Sequence, residues 1–310
     1  MVHDRLAALA GATGFVGRRL AKRLVDEGWR VRALVRPKSD QEALTGKGID
    51  IIPGDLADLG ALRALVDGAD VSINCAGLTK AANLAAYLAV NRDGAARFAQ
   101  AGDGRVLLVS SLAAREPRLS DYAFSKRAGE ESSRAVAGDR LTVLRPPAIY
   151  GPGDLEILRL FRLAKLTPIA PLLGGPDSRL ALAHVDDVVA AIIHLMEHPH
   201  RGGSYAVGGQ RPEGYGWEEI ARAAWRAMGR ESRPIVLPSW AVSGAAVVSE
   251  VLGAASGSPS IFNRGKAREM AHKDWSVSAA EQIPNAPAAS FTLEKGFADT
   301  VTWYRSKGWL

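Results

Sequence analysis

Cysteine is almost absent. Cys75 is the one cysteine in the chain, so an internal disulfide framework and a multi-cysteine metal site are both excluded. No clustered metal-ligand pattern replaces it, and no metal is expected. Long apolar runs are lacking too. A membrane span needs about 18 or more apolar residues in a row. The nearest stretch, WAVSGAAVVSEVLGAA (240–255), is broken by Ser243, Ser249 and Glu250. No secretory leader is legible at the start, where Asp4 precedes a run into glycine. These readings predict a cytoplasmic protein. No internal repeat or low-complexity tract is present.

Charge is ordinary in amount but uneven in place. The net charge is +6. Arg18, Arg19, Lys22, Arg23, Arg30, Arg32, Arg36 and Lys38 face only Asp26 and Glu27 across 18–38, a local excess equal to that of the whole chain. A nucleic-acid surface would spread its cations and mix in aromatics. A local cluster beside a glycine-rich turn predicts a small anionic ligand instead, and no nucleic-acid partner.

The first half alternates short apolar runs with helical patterns. Strands are predicted at 5–10, 30–35, 49–52, 70–76, 105–111 and 141–146, with helices at 15–27, 58–66, 83–101 and 121–137. This alternation predicts an α/β fold, a doubly wound parallel sheet buried on both faces. After residue 150 turn-rich segments appear, followed by helical patterns at 186–197, 216–228, 239–254 and 292–307 and a late strand within 203–209. The expected division is a dinucleotide-binding domain over 1–150, to which 183–208 returns. A smaller, mostly helical C-terminal substrate domain takes 151–182 and 209–310.

LAGATGFVG (9–17) sets Gly11, Gly14 and Gly17 between the first strand and first helix. Gly11 permits a tight turn, Gly14 lets backbone N–H groups approach a pyrophosphate, and Gly17 lets the helix pack closely. The acidic residue that would hold a ribose hydroxyl belongs at the end of the second strand. Val35 and Arg36 stand there. A guanidinium suits a 2′-phosphate, so NADP(H) is the expected cofactor, with NAD(H) as the alternative. Lys38 and Arg32 would add to the field.

The G-x-x-G-x-x-G spacing, GD (54–55), NCAG (74–77), VSS (109–111), the Tyr122–Lys126 pair in DYAFSK, RPPAIYGPGD (145–154) and HVDD (184–187) follow one order. Together they resemble the extended short-chain dehydrogenase/reductase family, over residues 5 to about 208. The resemblance implies a Rossmann sheet and a cofactor site of Gly11, Thr13, Gly14, Phe15, Val16, Gly17, Arg36, Lys38, Asp55, Leu56, Cys75, Ala76 and Gly77. Pro146 and Ile149 would border the nicotinamide. Tyr122 would exchange a proton with the substrate oxygen, and Lys126 would lower its pKa and hold the nicotinamide ribose. Ser111 would orient the carbonyl, with Ser110 as the fallback. Asn91 would support a proton relay or the helix shape. Cys75 reads as a small buried residue, and His184, Asp186 and Asp187 as helix anchors.

Family members include reductases, epimerases and dehydratases. Leu112 and Ala113 stand where dehydratases carry an acidic pair, which argues against dehydration. Arg179, Arg159 and Arg162 are weak matches to arginines that hold a sugar diphosphate. The apolar stretch 237–257 suits a lipophilic pocket or a packing surface. The expected activity is therefore NADP-dependent interconversion of a carbonyl and a secondary alcohol on a lipophilic small molecule. A sugar or nucleotide-sugar epimerase using the same residues is the alternative, and a non-catalytic NADP-binding regulatory or assembly protein is a further one. A homodimer is expected from the family.

Overall fold

Short apolar runs become buried strands here because each is covered on both faces. The computed structural model describes residues 5–44, 46, 48–198, 200–238, 240, 244, 249 and 263–310. Strands β1 (Leu6–Ala10), β2 (Arg30–Val35), β3 (Ile49–Pro53), β4 (Val71–Asn74), β5 (Val106–Val109) and β6 (Leu141–Arg145) form a parallel sheet with the Ser204–Ala206 strand at the β6 edge. The order is β3-β2-β1-β4-β5-β6 and then 204–206. Chain order reverses between β1 and β4. In open α/β sheets ligands bind at such a reversal, beyond the carboxyl ends of the strands.

Helix α1 (Phe15–Asp26) buries Gly17, Leu20, Ala21 and Leu24. α2 (Leu59–Val66) follows β3. The helix predicted over 83–101 is three pieces: α3 (Leu84–Leu88), a π-helical turn (Ala89–Gly94) and α4 (Ala95–Gln100). The wide turn ends at Gly94, in a spot with no room for a side chain: a methyl on that glycine would stand 2.9 Å from Leu56 Cβ. Helix α5 (Asp121–Ala137) follows β5 and a 3₁₀ turn, Leu112–Arg115.

Two compact units emerge. The first comprises residues 1–145 and 189–205, the second 146–188 and 206–310. The second has its own aromatic core of Tyr150, Phe161, Trp225, Phe297 and Tyr304. Its polar edges are satisfied: Trp225 Nε1 donates to the Thr167 carbonyl at 2.8 Å, and Tyr304 hydroxyl to the Asp154 carbonyl at 2.5 Å. Helices occupy Leu158–Leu166, Trp217–Ala227, Arg264–Ala271 and Leu293–Ser306. The Val185–Glu197 helix begins in this unit and ends in the first. The apolar helix predicted over 239–254 lies outside the described residues, apart from Trp240, Gly244 and Ser249. No described helix is long and apolar enough to cross a membrane.

Candidate active site

The glycine turn is built as a close three-way contact. Gly11 has φ +82°, and a methyl there would lie 2.6 Å from the Ala76 nitrogen. β1 and the β4 end are therefore nearly in backbone contact at the sheet reversal. A methyl on Gly17 would stand 2.1 Å from the Gly11 carbonyl oxygen. Gly17 thus allows the close packing expected of it. What it packs against is the turn itself, Gly11 and Ala12, which folds back over the first helical turn.

The start of α1 is open to an anion. Its N-cap, Gly14, offers no side-chain cap, and no acidic residue occupies the first turn. α2, α3 and α5 are each capped by a side chain, from Asp58, Asn83 and Ser120. Unpaired first-turn N–H groups and a positive helix end together favour a phosphate. These residues fit a dinucleotide pyrophosphate, with Thr13, Phe15 and Val16 in the turn. Ala76 and Gly77 line the β4 end opposite.

The basic cluster resolves into two groups. Lys22 pairs with Asp26 at 2.7 Å, Arg23 with Glu27 at 2.5 Å and Arg30 with Asp50 at 2.8 Å. Arg18 donates to the Thr13 carbonyl. Arg32 does not serve the cofactor field as expected. Its guanidinium donates to the carbonyls of Ala64, Leu65 and Asp67, closing the end of α2. Arg36 and Lys38 are exposed just beyond β2, and neither side chain has a partner among the described residues. Val35, in the position of the missing carboxylate, is buried. Asp55 accepts from the Ala57 N–H at 2.8 Å, and Leu56 is core rather than surface.

Helix α5 carries Tyr122 in its first turn. Ser120 fixes that start by accepting from the Ala123 N–H at 2.9 Å. Tyr122 is half-buried, its ring tilted against Tyr87 at 6.2 Å between centroids. Lys126, one turn on, is buried. Its Nζ donates to the Val109 carbonyl at 3.0 Å, at the carboxyl end of β5. A methyl on Gly77 would stand 3.5 Å from the same Nζ. The ammonium is thus held between the ends of β4 and β5, with two further N–H donors in hand.

Burial brings the Lys126 pKa down to about 8 from its ordinary 10.5, against the opposing charge of Glu130. Glu130 itself is held by Arg145 in a two-pronged pair of 2.9 and 2.5 Å. At neutral pH the amine still carries its proton. Between about 8 and 10.5 the unfolded chain holds that proton while the fold has released it, so raising pH through this window favours the folded state. Below about 8 both states are charged and the burial penalty stands in full. Lys126→Met should flatten this rise by roughly 3 kcal/mol, read as the difference between wild-type and variant urea unfolding at each end of the window. Parallel curves for the two proteins would contradict the burial argument.

Asn91 lies in the π-helical turn with its amide fully used. It accepts from the Leu78 N–H at 2.8 Å, donates to the Leu78 carbonyl at 3.0 Å and donates to Ser125 Oγ at 2.9 Å. Both amide donors are spent, so its side chain has none left for a proton relay, and the helix-shape expectation agrees better with this geometry. Ser125 in turn donates to the Tyr122 carbonyl at 2.8 Å. Sequence reasoning passed over Ser125, although its place between Tyr122 and Lys126 was a visible signal. It also passed over Asn74, fully buried at the end of β4, whose Oδ1 accepts from the Ala76 N–H at 2.9 Å.

The two serines differ in access. Ser111 is half-buried and caps the 3₁₀ turn, accepting from the Ala113 N–H at 3.2 Å. Ser110 Oγ is sealed from solvent. Leu112 and Ala113 are buried. Cys75 is only partly buried, less than expected; loss of solvent around its thiol still pushes the pKa up to about 12, which makes it a poor nucleophile.

Other predicted positions lie in the second unit. Pro146 opens it, and Ile149 sits in the Ala148–Tyr150 strand, paired with Ala183. Arg179 donates to the carbonyls of Pro176 and Ser178, and Arg162 to that of Trp309. His184 is buried, stacked on Phe291 at 3.7 Å, and its Nδ1 accepts from the Asp186 N–H. Asp187 accepts from the backbone N–H groups of Ser290 and Phe291. It anchors a distant loop of its own unit, beyond the helix it begins.

Comparison with known proteins agrees with this architecture. The model of the NAD dependent epimerase/dehydratase family matches residues 7–208. A ceramide reductase of Caulobacter vibrioides is 44% identical over 308 residues, covering 98% of this chain and 96% of that protein. The crystal structure of gox2253 superposes with a TM-score of 0.80 at 22% identity, covering 99% of this chain and all of that one. The Bordetella bronchiseptica enzyme WbmH, solved with NAD+, gives 0.76 at 16% identity, with coverage of 99% and 100%. At such identities the two structures speak to the fold alone. The family match and the full-length relative go further: the chain belongs to the NAD-dependent epimerase/dehydratase family, within the extended short-chain dehydrogenases/reductases, and is an NAD(P)-dependent oxidoreductase.

Proposed function

We propose that this protein is an NADPH-dependent reductase of a ketone on a long-chain lipid, a ceramide-like molecule being the first candidate. The observation that carries the reading is the buried Lys126 ammonium, fixed to the Val109 carbonyl one helical turn from Tyr122. A phenol beside a held cation is suited to proton exchange with a carbonyl oxygen. The bound nicotinamide supplies the hydride that goes to the carbonyl carbon. Tyr122 gives its hydroxyl proton to the carbonyl oxygen, Ser111 donates a hydrogen bond to the same oxygen, and the Lys126 charge stabilises the phenolate left behind. Asn91 and Ser125 hold these groups in place without touching the substrate.

The relative named ceramide reductase, similar over its whole length, supports the lipid class. The direct test is a panel of ketolipids and nucleotide sugars with NADPH. Oxidation of NADPH by a ketolipid is the expected result. Interconversion of a sugar without net loss of nicotinamide absorbance would replace this reading with epimerisation.

The NADP preference rests on Arg36, exposed and unengaged beside the buried Val35. Arg36→Asp should weaken NADPH at least about tenfold while leaving NADH little changed, because a carboxylate repels the 2′-phosphate and suits a hydroxyl. Fluorescence titration of both reduced cofactors checks it. Equal losses for the two would deny Arg36 the role.

A further inference from the structure

Tyr87 is a buried aromatic beside the site that the chemistry above leaves unused. Along 84–93, Tyr87 and Asn91 are the two buried residues, and both reach the same stretch of backbone just past β4. Asn91 holds the N–H and the carbonyl of Leu78. The Tyr87 hydroxyl donates to the Thr79 carbonyl at 3.3 Å. This stretch follows Gly77, where a methyl would stand 3.5 Å from Lys126 Nζ. The exit of β4 is therefore tied to α3 and the π-helical turn, next to the buried ammonium.

The other end of this contact is Tyr122. The two rings stand 6.2 Å apart at their centroids with 59° between their planes, within the tilted geometry that aromatic pairs favour at about 4.5–7 Å. Tyr122 is half-buried, and a tyrosine side chain has several staggered settings among which packing must choose. Tyr87 is 4% exposed and tethered at its hydroxyl end, so it forms a wall with a fixed place. Proton transfer requires the phenol within hydrogen-bond reach of the substrate oxygen. A misplacement of about 1 Å costs about 10²-fold in rate.

We propose that Tyr87 is a positioning residue for the reaction: anchored to the Thr79 carbonyl, its ring holds the Tyr122 phenol in the one setting from which it serves the substrate oxygen. Tyr87 acts through Tyr122 and touches no substrate. The proposal deepens the reductase reading and rests on it for the effect on turnover. The effect on where the Tyr122 ring lies is independent of that reading.

The test compares Tyr87→Phe with Tyr87→Met in the full chain, by ketolipid turnover with NADPH and by NADPH titration. Phenylalanine keeps the wall and loses the bond to Thr79. Methionine fills much of the same space with a flexible chain, and Tyr87→Leu takes its place if that variant does not fold. Tyr87→Phe should keep kcat within about threefold of wild type, while Tyr87→Met should lower it about tenfold or more. NADPH affinity should be the same in the two variants, since both lose the Thr79 bond. In a Tyr122→Phe background, Tyr87→Met should change turnover by no more than about twofold, because the donor that Tyr87 aims is already gone. A merely structural residue would cost the same factor in both backgrounds. Equal kcat for the Phe and Met variants, or an undiminished loss in the Tyr122→Phe background, would overturn the proposal. A crystal structure of Tyr87→Met reads the positioning without turnover. The Tyr122 ring should leave its wild-type place or divide between two rotamers, and an unmoved ring would overturn the proposal. A displaced ring in a protein that turns over no ketolipid would support the positioning and fault the reductase reading alone.

Discussion

Tyr122→Phe should lower turnover by about 10²- to 10⁴-fold, the usual contribution of a positioned proton donor, while NADPH still binds. The ring is half-buried against Tyr87, and phenylalanine keeps its packing. What disappears is the one proton that the substrate oxygen would receive. Lys126 remains fixed to Val109, so the cofactor-facing side of the site is undisturbed. Steady-state kinetics with cofactor titration separate the two effects. Near wild-type turnover in this variant would remove Tyr122 from the chemistry and favour a binding protein that uses the nicotinamide as a signal.

The second large effect is structural. A methyl on Gly129 would stand 2.0 Å from the Asn91 carbonyl oxygen and 3.1 Å from its carbonyl carbon. Both are backbone atoms of the π-helical turn, and no side chain can rotate away. Gly129→Ala should cost about 3 kcal/mol or more and lower Tm by about 5 °C or more. The damage should also reach the site. α5 would be pushed from Asn91, stretching the Asn91–Ser125 bond and with it the hold on Leu78. NADPH affinity should therefore fall together with stability. Thermal unfolding and cofactor titration on one preparation read both. A variant as stable as wild type would mean that the helices slide apart at little cost.

How much of this was legible in the residues differs from motif to motif. The glycine turn, the alternation of strands and helices and the Tyr122–Lys126 pair are local, and each carries its reason in its spacing. The strands appear within a few residues of expectation because continuous apolar runs have few other ways to be buried. The Arg18–Lys38 cluster misled in part. Arg32 and Arg36 look equivalent in one dimension, yet Arg32 meets the carbonyl end of α2, some thirty residues on. The π-helical turn was invisible, and the close approaches along it, Gly94 to Leu56 and Gly129 to Asn91, join residues far apart in the chain. Nothing near the HVDD segment in the chain announces the loop that Asp187 holds, since that loop, at 290–291, is a hundred residues away.

By itself the sequence determined the fold class and the class of cofactor, because both depend on residue types at short fixed separations. Only the tertiary structure decided which cations are spent on structure and which remain open, that the Ser110 hydroxyl is sealed from solvent, and what Asn91 does with its amide. Those outcomes depend on burial and on hydrogen-bond partners far along the chain. A group's charge or donor becomes available for function only when no such partner has already taken it.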